Sequence, residues 1–240
     1  MDNQQEFDLP GLLDVSAVQT TSSKDDVAFV ASLAAKFNCK AAFALSGFLP
    51  FLKEERERLG GSFLIGGTIG YPSGQTSTKM KCAEAKILVD FGADETDMVL
   101  NVGYLLSGMF QEALDDIKAV KQTVGDTPLK VIIEAPVLEP DDVKRAAELV
   151  VKGGAQWVKT GTGWAKTGTT LEHLRLIREA VGYEIGLKVA GGVGEGPSAN
   201  GDKGAGQDEE VQEVDEGQRK EDAVFLDIGL AAAEKAHGKG

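Results

Sequence analysis

The chain is poor in the residues that ordinarily announce a metal or redox centre. Its 240 residues include two cysteines, Cys39 and Cys82, and two histidines, His173 and His237. The cysteines form no CxxC pair and no disulfide framework. With no His/Cys/Glu cluster, no zinc site is expected. No apolar run is long enough to span a bilayer. The N-terminal MDNQQEFDLP is polar and acidic, so no signal peptide, transit peptide or membrane span is read there. Reduced thiols and no export signal predict a cytoplasmic protein. Positive charge is also scarce: 25 basic residues face 38 acidic ones, a net charge of −13. That balance argues against nucleic acid or an anionic membrane as partner. It leaves a small anionic substrate open, because the local field of a site matters more than the total.

The negative charge is unevenly placed. Between Gly194 and Asp222 lie ten acidic residues against Lys203, Arg219 and Lys220, with six glycines and four apolar residues. Such a stretch buries too little surface to offset its ordering entropy. Residues 194–222 are therefore expected to be a disordered acidic, glycine-rich segment within a single domain spanning 1–240.

Elsewhere, short β-rich runs alternate with amphipathic ones. Strands are expected at 12–18, 39–45, 62–69, 96–102, 129–135, 155–160, 184–190 and 223–229. Helices are expected at 23–37, 76–91, 111–124, 140–152 and 170–181. Ser23 and the acidic turn after it suit a helix start, Pro140 suits a first turn, and Gly92 and Gly153–Gly154 suit helix stops. Strands separated by helices predict parallel βαβ units, and eight of them predict a (β/α)8 TIM barrel. Its seventh helix is expected to be atypical or missing and its C-terminus short.

Strand parity sorts the charges. Where Ile185, Leu187 and Val189 face the helices, Lys188 points inward; where Val158 faces out, Lys159 points in. The same rule turns Asp97, Val99 and Asn101 inward, and likewise Ile132 and Glu134. Four charges, Asp97, Glu134, Lys159 and Lys188, thus converge on a barrel interior near the strand C-termini, where barrel enzymes keep their chemistry. Lysines on neighbouring strands lie about 5 Å apart at the backbone. An ordinary lysine, with a pKa near 10.4, is only about 0.04% neutral at pH 7. A second cation and partial burial lower that pKa, and a neutral amine aimed at a carbonyl forms a Schiff base. An adjacent carboxylate such as Asp97 can then move protons through water.

LLDVSAVQT (12–20), TIGYPSGQTSTKMKCAEAKILVDFGADE (68–95), ADETDMVLNVG (93–103), VIIEAPVL (131–138), WVKTGTGWAKTGTTLEHLRLIREAVG (157–182) and GLKVAGGV (186–193) resemble, in order, the deoxyribose-phosphate aldolase family. The resemblance covers residues 7–193 and returns weakly at 225–236. It implies a class I aldolase that reversibly cleaves 2-deoxy-D-ribose 5-phosphate to D-glyceraldehyde 3-phosphate and acetaldehyde. No cofactor and no metal is implied, and the partners are small aldehydes and sugar phosphates. By resemblance, Lys159 forms the Schiff base, Lys188 perturbs it, and Asp97 acts with Lys188 and water as the proton relay. Asp14 matches the first-strand aspartate, a supporting and substrate-side position grouped with Thr160. The amides of Gly163, Gly191 and Gly192 match phosphate-cradling loops. A homodimer is an open expectation, with no apolar patch in the sequence to mark an interface.

The chain departs from this pattern at Trp164, where some members carry lysine; at AFALSGFLP (42–50), which lacks the usual Cys or Asn; and after Val193. Two alternatives therefore stand beside the main reading: a Schiff-base aldolase for a less charged acceptor, or an impaired barrel that only binds sugar phosphates. GGVGEG (191–196) and KTGTGWAKTG (159–168) lack the spacing of dinucleotide and triphosphate loops.

Overall fold

Alternation of core-facing and interior-facing residues gives eight short strands, and their parallel pairing rolls them into a ring. The computed structural model describes residues 9–192, together with the backbone of 224–229. The strands are β1 (Leu13–Ala17), β2 (Ala41–Ala44), β3 (Leu64–Ile69), β4 (Glu95–Val99), β5 (Leu129–Ile132), β6 (Trp157–Lys159), β7 (Gly186–Val189) and β8 (Val224–Gly229). They form a closed barrel in sequence order, with β8 pairing back onto β1. The TIM-barrel expectation is met. The expected irregularity in the helix after β7, and the expected disorder of 194–222, lie outside the described residues.

Seven α-helices occur among the described residues: α1 (Lys24–Phe37), α2 (Leu49–Leu59), α3 (Thr78–Phe91), α4 (Val102–Leu106), α5 (Phe110–Val124), α6 (Pro140–Lys152) and α7 (Leu171–Val181). Their ends follow the local chemistry. The Ser23 hydroxyl accepts from the Asp26 N–H while the Asp26 carboxylate accepts from the Ser23 N–H, which closes a capping box on α1. Thr170 and His173 cap α7 in the same way. Gly92 ends α3 in the left-handed conformation, φ 81°.

The expected list of helices lacked α2 and α4. In α2 only Leu49, Leu52 and the aliphatic part of Glu55 are buried. The run KEERER hides that narrow stripe beneath charge. The short α4 occupies what was read as the end of the fourth strand. That strand stops at Val99, and the side chain of Asn101 accepts from the Tyr104 N–H to start the helix. Asn101 is therefore a helix cap rather than an inward strand position. Likewise β5 stops at Ile132, and Glu134 takes a left-handed backbone, φ 53° and ψ 47°.

Two environments result. Outside the barrel, Val15, Met98, Val131, Val158 and Leu187 pack with Val27, Leu88, Ile117 and Val143 from the helices in one continuous apolar layer. At about 25 cal/mol per Å2 of apolar surface buried, this layer is the main source of stability. Inside, charged side chains share the barrel with Val99, Ile132 and Phe43, the last packed with Val18 and Ala41. Gly66 faces Phe43 across the β2–β3 register, and a Cβ there would lie 2.2 Å from the ring. The missing side chain gives the ring its space.

Candidate active site

The interior-facing strand positions bring Lys159 and Lys188 opposite one another in the β6–β7 register. Asp97 stands opposite Lys130 in the β4–β5 register. All four are buried, Lys159 at 5% exposure and Asp97 at 0%. The Lys159 ammonium donates to Asp97 Oδ2 at 2.7 Å. Lys130 Nζ lies 3.3 Å from Asp97 Oδ1, 2.7 Å from Glu95 and 3.8 Å from Asp14. Lys188 Nζ lies 2.7 Å from Asp14 Oδ2 and donates to the Leu12 carbonyl at 3.4 Å. Phe43 lies beneath two of the cations, its ring centre 4.8 Å from Lys130 Nζ and 5.2 Å from Lys159 Nζ. An aromatic face so placed adds a favourable electrostatic contact to each.

The structure gathers three of the four charges expected to converge, Asp97, Lys159 and Lys188, leaves out Glu134, brings in Asp14, and adds three residues that the sequence reading passed over: Lys130, Glu95 and Phe43. Lys130 carried a readable signal, since it shares the parity of the inward Ile132. Asp97 meets Lys159 and Lys130 directly, while Lys188 reaches Asp14 and acts on Asp97 through its field. Burial alone would raise the Asp97 carboxyl. The charges of Lys130, Lys159 and Lys188 outweigh it and hold Asp97 below the usual carboxylate range. Burial also opposes the charge on Lys130, yet Asp97, Asp14 and Glu95 raise it above an ordinary lysine. Lys130 is thus a fixed cation, and Asp97 is a carboxylate shared between it and Lys159.

Past Lys159 the chain forms a loop over the strand C-termini. The Thr160 hydroxyl donates to the Ala190 carbonyl at 3.0 Å and accepts from the Ala190 N–H at 2.9 Å, which ties the end of β6 to the end of β7. That hydroxyl is fully engaged within the protein, so Thr160 holds the two lysine-bearing strands together. Gly163, Gly191 and Gly192 all have positive φ, 82°, 86° and 82°. A Cβ on Gly191 would lie 3.2 Å from the Gly163 nitrogen. The turn at Gly191–Gly192 and the loop at Gly163 therefore approach closely at the strand ends, in the manner of backbone cradles for anions.

The loop also spans the barrel mouth. Trp164 Nε1 donates to the Val18 carbonyl beyond β1 at 3.2 Å, and the Tyr71 hydroxyl beyond β3 donates to the Thr162 carbonyl at 2.5 Å. The Tyr71 and Trp164 rings meet edge to face, 6.3 Å between centres. On the β5 side, Glu134 Oε1 accepts from the Thr162 N–H at 3.1 Å and Oε2 from the Thr162 hydroxyl at 2.5 Å. Burial raises the Glu134 carboxyl, and the two bonds from Thr162 offset only part of that rise. Glu134 thus lies at the loop rather than inside the lysine cluster.

Among the described residues no group of His, Cys, Asp and Glu is placed to hold a metal ion, and no helix is long and apolar enough to cross a membrane.

Residues 7–201 match the model of the DeoC/LacD family aldolases. A deoxyribose-phosphate aldolase of Rhizobium meliloti (strain 1021) is 42% identical over 186 residues, covering 78% of this chain and 75% of that protein. One of Klebsiella pneumoniae subsp. pneumoniae is 39% identical, covering 76% and 74%. Among solved structures, that of QR15, an aldolase, superposes with a TM-score of 0.73 at 27% identity, covering 78% of this chain and 83% of that one. With the barrel, the buried lysines and the glycine turns in place, these matches settle the family: the chain belongs to the DeoC/LacD aldolases.

Proposed function

We propose that the protein is a class I deoxyribose-phosphate aldolase in which Lys159 carries the Schiff base. The observation that carries this reading is the Lys159–Asp97 contact of 2.7 Å inside the barrel. It gives the amine a carboxylate that can relay its proton to water and return to the anionic form. The neutral amine adds to the C1 aldehyde of open-chain 2-deoxyribose 5-phosphate, and loss of water from the carbinolamine leaves an iminium. The C3 hydroxyl then gives up its proton, through water, to Asp97 with Lys188 nearby. The C2–C3 bond breaks and its electron pair passes into the iminium. The products of this step are glyceraldehyde 3-phosphate and an enamine. Protonation at C2 and hydrolysis release acetaldehyde and restore the lysine.

Lys130 stays protonated through the cycle and keeps Asp97 anionic when Lys159 loses its charge. Backbone amides at Gly163, Gly191 and Gly192 hold the phosphate, as main-chain cradles do elsewhere. Asp14 anchors Lys188 at the far side of the cluster.

The test is borohydride reduction in the presence of acetaldehyde, followed by peptide mass spectrometry. A two-carbon adduct on Lys159 is expected, and none in Lys159→Arg. A folded wild-type protein that shows no adduct overturns the reading.

The proposal extends to a homodimer in the cytoplasm. Met80, Ile87 and Phe91 of α3 are exposed and share one helix face, which supports pairing of two copies there. Light scattering on the purified protein reads the mass, and a Met80→Lys/Ile87→Lys variant should be monomeric.

A further inference from the structure

We infer that Glu134 is a positioning residue that sets the β6 loop for the anionic end of the acceptor, an inference that rests on the aldolase reading above. Glu134 and Asn38 are the non-glycine residues with positive φ among those described. Asn38 closes a helix, where Asn in this conformation is ordinary. Glu134 sits beside the site. A left-handed backbone is unfavourable for a residue with a Cβ and persists where surrounding contacts over-determine it. Here it swings the side chain off the line of β5 and onto the loop that follows Lys159.

The contact is directional. An ionised carboxylate only accepts. Glu134 therefore orients both the N–H and the hydroxyl hydrogen of Thr162 toward itself. The Thr162 oxygen is left to accept from the Trp164 N–H, 3.1 Å away. One side chain thus fixes the 161–162 peptide directly and, through the Thr162 hydroxyl, the 163–164 peptide, the two that bracket the amide of Gly163, which faces the Gly191 turn. Gly161 makes this possible, since a Cβ there would come within 3.2 Å of Glu134 Oε1. Tyr71 and Val18 hold the far side of the same loop. Glutamine cannot replace the carboxylate fully, because its amide would make the Thr162 hydroxyl turn to accept, and the hydroxyl proton then loses its acceptor.

The experiment compares Glu134→Ala, Glu134→Gly and Glu134→Gln with wild type. It reads kcat/KM for glyceraldehyde 3-phosphate and for unphosphorylated glyceraldehyde, each with acetaldehyde, together with borohydride trapping on Lys159 and the melting temperature. Loss of a charge-assisted contact predicts that preference for the phosphorylated acceptor falls by about tenfold in the Ala and Gly variants, through KM. The Gln variant should fall between them and wild type. Trapping should be unchanged. Glu134→Gly should melt at or above Glu134→Ala, since glycine relieves the backbone. The two variants would then share one loss of preference while differing in stability, which a purely structural role does not produce. Thr162→Val breaks the same latch from the other side and should lower the preference likewise, so the inference does not hang on one variant folding. An unchanged acceptor preference in Glu134→Gly and Thr162→Val, with trapping intact, overturns the inference and leaves the aldolase reading standing. Absence of trapping in the wild type removes both.

Discussion

Asp97 is held by two cations at once: Lys159 at Oδ2, 2.7 Å away, and Lys130 at Oδ1, 3.3 Å away. The two contacts differ in kind. Lys130 also binds Glu95, and its charge is reinforced, so it is a permanent counterion. With Lys130 in place, Asp97 keeps a counterion whatever the state of Lys159.

Lys130→Met should therefore injure both fold and chemistry. Breaking a buried ionic cluster from one side leaves uncompensated charge, at a cost of about 3–5 kcal/mol. With Lys130 gone, burial and the loss of a cation both raise the Asp97 carboxyl. Urea unfolding should show the destabilisation. The acid limb of the pH–rate profile should move to higher pH, and a limb that stays put would remove Lys130 from the role assigned to it.

The same groups set the pH range of stability. Asp97 has a lowered folded pKa, so its contribution is present above the unfolded carboxylate value, near 3.9, and is lost as pH falls through the lower folded value. Lys130 has a raised folded pKa. Its contribution is complete below the unfolded lysine value, near 10.4, and is lost as pH climbs toward the folded value. With respect to these two groups, thermal melts should trace a plateau across neutral pH that falls away at both extremes.

A second buried pair behaves differently. Lys81 of α3 lies 2.5 Å from Asp116 of α5 and donates to the Val99 carbonyl at 2.9 Å, both charges wholly inside. Burial outweighs Asp116 and lowers the Lys81 ammonium, so desolvation dominates there. Lys81→Met alone should cost about 3–5 kcal/mol by orphaning Asp116, whereas Lys81→Met with Asp116→Leu should recover most of that loss. A double-mutant cycle by urea unfolding measures both.

Gly66→Ala tests the interior packing. Its Cβ would meet the Phe43 ring at 2.2 Å, so the ring must move. Overpacking of this kind costs about 1–3 kcal/mol. The displaced ring would also leave its place beneath Lys130 and Lys159, so lowered kcat should accompany the lowered melting temperature.

Much of this architecture was legible in the residues. Parity alone turned Asp97, Lys159 and Lys188 inward, because apolar residues on alternate positions fix which face meets the helices. It failed at Asn101 and Glu134, where the strands had already ended: a side-chain cap in one case and a left-handed turn in the other redirected the chain. Period-two reasoning has no term for either. Helix α2 was hidden because its buried stripe is two leucines wide amid consecutive charges. Lys130 was missed for another reason. It is the second residue of an apolar strand, and although its parity with Ile132 turns it inward, its partners Asp14, Glu95 and Asp97 arrive from two other strands.

Closure of the ring by β8 against β1 has a bearing on how the protein comes into being. Asp14 and Lys188 meet from far apart in sequence, and β1 gains its second neighbour only from β8, a strand made after all the others. Contacts of such long sequence separation form late, because the intervening chain must be confined first. A nascent chain that has emerged as far as β6 already contains Asp97, Lys130 and Lys159, but not Lys188 or the strand that shuts the barrel. Its apolar outer layer is then partly formed around an unsealed, charge-lined interior. Emergence of Lys159 and closure of the barrel are thus separate events, divided by the time taken to synthesise the residues between β6 and β8.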